Sequence, residues 1–77
     1  MHAAFMLIKT ELGEPFSVAE QISEIHGVDF AHSVTGPYDV IAYIETEDDL
    51  SGELREIAEE IHSINGVFDT ITCIAAH

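Results

Sequence analysis

Hydrophobic positions recur with two different periods along this chain, and each change of period marks the border of a predicted element. Residues 3–9 are apolar at both parities, which is typical of a strand with both faces covered. Gly13-Glu14-Pro15 then introduces a helix, and Gly27 is suited to end it with a left-handed backbone. The apolar face of this helix has helical spacing and consists of Val18, Ala19, Ile22 and Ile25.

A turn at Gly36-Pro37 separates the two strands of a predicted hairpin. Before the turn, Val28, Phe30 and Val34 share one parity. After the turn, Val40, Ala42 and Ile44 alternate with Ile41 and Tyr43. A second helix follows Thr46-Glu47-Asp48-Asp49, because capping and acidic residues favour a helix N-terminus. Its apolar face consists of Leu50, Leu54, Ile57, Ile61 and Ile64, and residues 67–75 form the last strand.

The pattern I-x-x-I-x-G-V occurs twice, once from Ile22 to Val28 and once from Ile61 to Val67. Both copies mark a predicted junction between a helix and a strand, so the chain consists of two similar halves. The order is β-α-β-β-α-β, which predicts an α+β ferredoxin-like fold with both helices on one face of a four-stranded antiparallel sheet. In that topology the first and third strands are central, in agreement with their apolar residues at both parities.

The predicted fold leaves one apolar sheet face without a cover. Phe5, Leu7, Ile41 and Tyr43 would line it, and an exposed apolar face of this kind usually marks an interface. A chain of 77 residues also buries only about 60% of its unfolded surface. We therefore expect a symmetric homodimer joined through its sheets, in the manner of dimeric α/β-barrels.

Charge changes the range of partners that can be expected. The chain has fifteen acidic residues against Lys9 and Arg55, for a net charge of −13. Direct nucleic-acid binding is excluded on this basis, because it depends on Lys and Arg. Such acidity is also typical of a salt-loving organism, in which case structure or assembly should be lost when salt is removed. With one cysteine and no apolar run of about 20 residues, we expect a cytoplasmic protein without a membrane segment.

Asp39 follows the Gly36-Pro37 turn directly and allows two interpretations. Its carboxylate could meet a small polar ligand beside unpaired backbone N–H groups. Alternatively, it closes the turn through its own backbone, as Asp often does, and the local sequence favours this second reading.

Other side chains that carry chemistry give weaker signals. The histidines show no metal-ligand spacing, and the pair Glu59 and His62 on one helix turn is common on acidic helices. Cys73 is expected to be a small core residue rather than a nucleophile. We predict no metal site, no cofactor and no catalytic residue. The histidines in question are His2, His26, His32, His62 and His77.

Two segments carry a resemblance to a known family. Val34-Thr35-Gly36-Pro37-Tyr38-Asp39, followed by an apolar strand, resembles the T-G-x-[YF]-D hairpin of the RAM domain, the effector-binding domain of the Lrp/AsnC family. Residues 65–72, Asn-Gly-Val-Phe-Asp-Thr-Ile-Thr, are similar to the family's G-V-x-x-T-x-T entry into the last strand. The resemblance covers essentially all of residues 1–77 as a single domain.

The resemblance implies a subunit that dimerises through its sheet and assembles further, from tetramers to octamers or rings. A free amino acid would bind near the contact between dimers. The positions that carry over are Gly36, Tyr38, Asp39, Thr70 and Thr72. Asp39 would pair with the ammonium, while backbone N–H groups of residues 36, 38 and 39 and a threonine hydroxyl would receive the carboxylate. Without the resemblance, ordinary β-propensity explains both threonines.

One departure from the full regulators concerns their helix-turn-helix domain, which we do not expect here. The chain looks like a stand-alone RAM protein that acts on transcription or metabolism through partners, among them full-length Lrp/AsnC regulators, without binding DNA itself. Two alternatives remain open. One is a small dimeric α/β-barrel enzyme, similar to monooxygenases, for which His32 is the internal strand histidine. The other is an assembly partner that needs no ligand.

Overall fold

The computed structural model describes residues 2–11 and 15–75. The elements follow the predicted order β-α-β-β-α-β, which confirms the α+β ferredoxin-like class. Gly13, Glu14 and His77, which the sequence analysis mentions, lie outside the described residues. The elements are β1 (His2–Thr10), α1 (Pro15–Ser23), β2 (Val28–Ser33), β3 (Val40–Thr46), α2 (Leu50–His62) and β4 (Val67–Ile74).

The four strands form one antiparallel sheet in the order β2-β3-β1-β4. The first and third strands are central, as predicted. Their alternation explains the layering, because Met6 pairs with Ala42 and Ile8 with Val40, and all four side chains are buried. The residues between them on the same strands form the opposite face of the sheet.

Both helices cover the same face of the sheet, again as predicted. Val18, Ala19 and Ile22 of α1 and Ile57 and Ile61 of α2 are buried against the sheet. Full burial of an aliphatic side chain of this size contributes about 1.5–3 kcal/mol, so this layer supplies most of the stabilisation of the single chain. Within the described ranges, neither helix combines the length and the apolar character needed to cross a membrane.

The internal repeat is reproduced in backbone geometry. Gly27 and Gly66 end the two junctions with positive φ values of 100° and 97°. In both junctions the second Ile N–H donates to the carbonyl of the first, at 3.0 Å. Each following strand then contains an irregularity at its second residue, Asp29 in β2 and Phe68 in β4, where the register with the neighbouring strand shifts.

The shift in β2 corrects the predicted parity of its apolar residues. Val28 pairs with Ile44 and packs against the core, whereas Phe30 pairs with Tyr43 on the other face. The extra residue between them turns two positions of equal parity onto opposite faces. Val34, which was assigned to the same face, is exposed and follows the end of β2.

Two further expectations need correction. The first helix ends at Ser23, and residues 24–27 form the turn that leads to β2. Cys73 is exposed rather than buried in the core. It pairs with Phe5 on the face of the sheet opposite to the helices, so helix packing does not cover it.

Glycine geometry makes a prediction about stability. At Gly27, an added Cβ would stand 3.1 Å from both Glu53 Oε1 and Ile57 Cδ1, and the backbone has positive φ. We expect Gly27→Ala to lower the free energy of unfolding by about 1–2 kcal/mol. Gly52→Ala, inside α2, should raise it by up to about 1 kcal/mol. There the new Cβ meets only the Asp49 carboxylate, which makes no cap hydrogen bond and can turn away.

Urea unfolding followed by circular dichroism measures both variants. A Gly27→Ala protein as stable as the parent would contradict the tight junction between α1 and α2.

Candidate functional site

The turn between β2 and β3 is held against the end of β1 by backbone and side-chain hydrogen bonds. The Val34 N–H donates to the Asp39 carbonyl at 2.8 Å, which closes the loop. The Asp39 N–H donates to the Ile8 carbonyl at 2.9 Å. The Thr10 N–H donates to Oδ2 of the Asp39 carboxylate, also at 2.9 Å. These bonds therefore fix the turn to a strand that is paired on both sides.

Asp39 therefore closes the turn through its backbone carbonyl, and its carboxylate has a further structural role that the sequence did not predict. Its carboxylate does not close its own turn but reaches a backbone N–H 29 residues away, at the end of β1. Only Oδ2 is used, and Oδ1 accepts no hydrogen bond from the described residues. The site role of Asp39 stays a prediction, and the geometry leaves one carboxylate oxygen for it.

The other turn residues present their backbone to solvent. Gly36 has a φ of +153°, and nothing lies within 4 Å of the place where a Cβ would stand. In the part of the chain that the structure describes, the N–H groups of Gly36 and Tyr38 have no acceptor, whereas that of Asp39 is occupied by Ile8. The donors available for a carboxylate are thus residues 36 and 38.

Lys9 is a neighbour of the turn that the sequence analysis did not include. Its ammonium lies 5.9 Å from the centroid of the Tyr38 ring, which is within the range of a cation–π contact. No pattern in the sequence links the two residues, because the contact depends on how the turn folds against β1. It brings one of the few cations of the chain close to the candidate site.

The two candidate threonines lie on β4, on the sheet face that carries the helices. Thr70 pairs with Ile8 and Thr72 with Met6 in the ladder to β1. Thr70 is half-buried and its Oγ1 lies 3.3 Å from Nε2 of His62, at the end of α2. Its N–H donates to Oδ1 of Asp69 at 2.9 Å. Thr72 is exposed.

A single copy of the chain does not bring the two groups of candidate residues together. Ile8 pairs with Val40 on one side and with Thr70 on the other. The turn and the threonines therefore lie on opposite sides of β1, two strand spacings or about 10 Å apart. Gly36, Tyr38 and Asp39 form one group, and Thr70 and Thr72 form another.

The face of the sheet opposite to the helices, here called the outer face, carries a row of aromatic rings. The Tyr43 ring centroid lies 5.0 Å from that of Phe5 and 5.3 Å from that of Phe30, and Phe30 stacks on His32 at 5.0 Å. The Tyr43 hydroxyl donates to Glu45 Oε2 at 2.9 Å. This hydrogen bond raises the pKa of Tyr43 above its ordinary value of 10.0, and burial and the negative charges of Glu45 and Asp29 act in the same direction.

The outer face is apolar and only partly covered. Phe5, Phe30 and Ile71 are 37%, 38% and 42% exposed, which is high for large apolar side chains on adjacent strands. His32, the internal strand histidine, lies on this face and not in a cleft between helix and sheet.

A depression of about 310 Å³ lies at the other end of the sheet. It is separated from the turn by the length of β1, roughly 25 Å, and is open to solvent. We give the turn more weight, because anchored polar groups converge there, while the depression is bordered mainly by exposed side chains. Among the described residues, no group of three or more His, Cys, Asp or Glu is placed to hold a metal ion. The residues that line the depression are His2, Asp48, Asp49, Leu50, Ser51 and Ile74.

The sequence model of the Lrp/AsnC ligand binding domain matches residues 3–77. Two solved structures are similar over nearly their full lengths. TTHA0845 from Thermus thermophilus is 32% identical, with a TM-score of 0.86 over 100% of this chain and 95% of that one. The hypothetical protein PHS023 from Pyrococcus horikoshii is 34% identical, with a TM-score of 0.83 over 100% and 92%.

Other matches are parts of longer proteins. Homocitrate synthase from Saccharolobus islandicus is 34% identical over 58 residues, which are 75% of this chain and 12% of the enzyme. The transcriptional regulator NMB0573 from Neisseria meningitidis, solved as an L-Met complex, shares the fold at 15% identity. Its TM-score is 0.77, over 99% of this chain and 50% of that one.

Two variants of Asp39 separate its structural role from its charge. Asp39→Ala removes the acceptor of the Thr10 N–H and should lower the free energy of unfolding by about 1–2 kcal/mol. Asp39→Asn keeps a side-chain oxygen in place and should cost less than about 1 kcal/mol. Urea unfolding compares the two. Equal losses would show that the charge of the carboxylate, rather than the hydrogen bond, holds the end of β1.

Proposed function

The chain belongs to the Lrp/AsnC ligand-binding domain family, and on this premise we propose that it is a regulatory module that binds a free amino acid and forms homo-oligomers. The observation that carries the proposal is the anchored turn. Among the described residues, nothing occupies Oδ1 of its Asp39 carboxylate or the N–H groups of Gly36 and Tyr38, and the turn is held in place by bonds to β1. A free amino acid offers the complementary pair of groups, an ammonium and a carboxylate.

In the proposed complex the ammonium of the amino acid pairs with Oδ1 of Asp39. The carboxylate of the amino acid accepts hydrogen bonds from the N–H groups of Gly36 and Tyr38. Lys9 adds positive charge beside these donors through its position over the Tyr38 ring. This charge is useful because a chain with a net charge of −13 otherwise repels anions.

The threonines complete the site from a second copy of the chain. Support comes from the separation of about 10 Å between the turn and β4 within one copy, which exceeds the distance between the charged groups of an amino acid. It also comes from β4 itself, whose Thr72 is exposed and free to face a neighbouring copy. Gly36, Tyr38 and Asp39 of one copy would then meet Thr70 and Thr72 of another.

The outer face is the proposed contact within a dimer. Its aromatic row presents an apolar surface that a second copy can cover symmetrically. Further assembly into tetramers, octamers or rings would bring the turn of one dimer to β4 of the next.

We infer that the module acts through a partner protein in the cytoplasm and does not contact DNA itself. The scarcity of Lys and Arg supports this inference, because phosphate contacts need them. NMB0573 is a transcriptional regulator solved with L-Met, which supports an amino-acid effector and a role in transcription. A full-length Lrp/AsnC regulator is the proposed partner.

A second candidate function is the control of an enzyme. The identity of 34% with homocitrate synthase over 58 residues favours it, because related sequence forms a small part of a metabolic enzyme there. The catalytic alternative for this chain itself is disfavoured, because His32 stacks on Phe30 on the outer face. An assembly partner without a ligand is separated from the leading proposal by the binding experiment below.

The proposed dimer contact predicts opposite results for two phenylalanines. Phe5→Asp places a charge in the contact and should reduce the assembly to monomers. Phe16→Asp, on α1 and 80% exposed, should leave the oligomer mass unchanged. Light scattering after size exclusion measures mass in near-physiological and in high salt, since the acidic surface opposes assembly unless salt screens it. A Phe5→Asp protein with parental mass would contradict the contact.

A mixing experiment tests the amino-acid site across copies. Calorimetry with L-methionine and the other standard amino acids should show binding to the parent chain and none to Asp39→Asn or to the double variant Thr70→Val, Thr72→Val. When the two variants are mixed and allowed to exchange subunits, about a quarter of the sites should combine an intact turn with intact threonines and recover binding.

Binding that stays absent in mixed oligomers would contradict a site shared between copies. Parental binding by Asp39→Asn would remove Asp39 from the site. If the parent bound no amino acid at all, the assembly partner without a ligand would become the leading function.

A further inference from the structure

His62 contacts Thr70 but has no role in the site described above. It lies in the last turn of α2, and its Nε2 is 3.3 Å from Oγ1 of Thr70 on β4. Most residues of β4 are exposed, so this hydrogen bond is a specific link between a helix and a strand that the helices cover poorly. The threonine at the end of the link is one of the candidate contacts to the effector.

The charge of His62 determines whether the Thr70 hydroxyl hydrogen remains available to donate to another group. A hydroxyl has one donor hydrogen and two acceptor lone pairs, whereas an imidazolium can only donate. When His62 is charged, Thr70 must accept from it, and the Thr70 O–H is left to donate elsewhere. In one tautomer of the neutral imidazole, Nε2 is an acceptor. Thr70 then donates its only hydroxyl hydrogen to His62 and has none left for another group.

We propose that His62 is a positioning residue of the effector site, whose charged form turns the Thr70 hydroxyl toward the carboxylate of the bound amino acid. The inference rests on the proposed function, because it gives Thr70 the role of a carboxylate donor. Effector binding should then be strongest when His62 is protonated and weaken as pH rises, since histidine changes charge between about pH 5 and 8.

The charged groups around the His62–Thr70 pair do not explain such a dependence. Glu59 and Arg55 precede His62 by one and two turns of α2. On β4, Asp69 accepts the Thr70 N–H, and Glu11 follows β1 with its N–H bonded to the Gly66 carbonyl at the junction of α2 and β4. Carboxylates and guanidinium groups ordinarily keep their charge between about pH 6 and 8, whereas histidine does not.

The test measures binding of L-methionine and the other standard amino acids by calorimetry at about pH 6 and pH 8. The parent chain should bind its effector about five- to tenfold more weakly at the higher pH, the difference between a charged and a neutral hydrogen-bond partner. His62→Gln should bind with nearly equal affinity at both pH values. The matched control is His26→Gln, an exposed histidine in the turn that follows α1, which should keep the parental dependence.

A second pair of variants tests whether His62 acts through Thr70. Thr70→Ser keeps the hydroxyl and should keep the pH dependence, whereas Thr70→Val should bind weakly and equally at both pH values. A histidine that only supports the fold would lower stability without flattening this profile.

The outcomes separate the inference from the function on which it rests. Effector binding with the parental pH dependence in His62→Gln would overturn the role of His62 and leave the amino-acid site intact. A flat profile in the parent chain would do the same. Absence of binding by every amino acid at both pH values would overturn the proposed function, and the inference with it.

Discussion

The double pairing of β1 is the constraint on which the rest of the structure depends. This strand carries a full ladder to β3 on one side and to β4 on the other. The turn is bonded to it through the Ile8 carbonyl and the Thr10 N–H, and the candidate threonines are placed by their pairing with Ile8 and Met6. Both halves of the candidate site are therefore fixed to one strand, at a separation that a single copy cannot close.

The same strand creates the second major property of the fold, its unequal faces. Met6 and Ile8 of β1 are buried beneath the helices. Phe5, on the same strand but on the outer face, remains 37% exposed. A central strand that is apolar at both parities cannot satisfy both faces with two helices on one side. The proposed assembly would cover this outer face, and the proposed site, which needs two copies, would depend on the same contact between copies.

Much of the fold follows from patterns that are local in the sequence. The parities of residues 3–9 and the repeat ending in Gly27 and Gly66 were sufficient to predict the element order and the central strands. The prediction that Val28 and Phe30 share one face was wrong. Both residues are apolar, so the sequence pattern does not reveal the bulge between them, which depends on pairing with β3. The prediction that Cys73 lies in the core was wrong for a related reason, because an apolar sequence does not indicate which face of an edge strand is covered.

The candidate site was less predictable, because its contacts join distant parts of the chain. The tight turn and the position of Asp39 beside it can be read from Gly36-Pro37. The bond from Thr10 to Asp39 spans 29 residues, and Lys9 reaches Tyr38 only because the turn folds onto β1. His62 had a visible neighbour in Glu59, yet its contact is with Thr70, across the junction that the repeat marks. Local periodicity carries no signal for such pairs.

The repeat also shows where the two halves of the domain have diverged. A shift of 39 residues relates Ile22 to Ile61, and the same shift relates Ser23 to His62 and Ala31 to Thr70. Ser23 is too short to reach the following strand and donates instead to the Glu20 carbonyl at 2.7 Å, while Ala31 has no polar group to receive it. The junctions share their glycine, their hydrogen bonds and their bulge, so the backbone does not distinguish them.

Among the side chains that differ between the halves is one interacting pair, a histidine and a threonine in the second half where the first has a serine and an alanine. Packing alone does not require that difference, because the first half closes the same junction without it. In the proposed function, a polar pair added at an exposed strand, in a position whose equivalent folds without such a pair, serves the ligand rather than stability. The asymmetry of the repeat therefore supports β4, and not β2, as the strand that would face the effector in the proposed site.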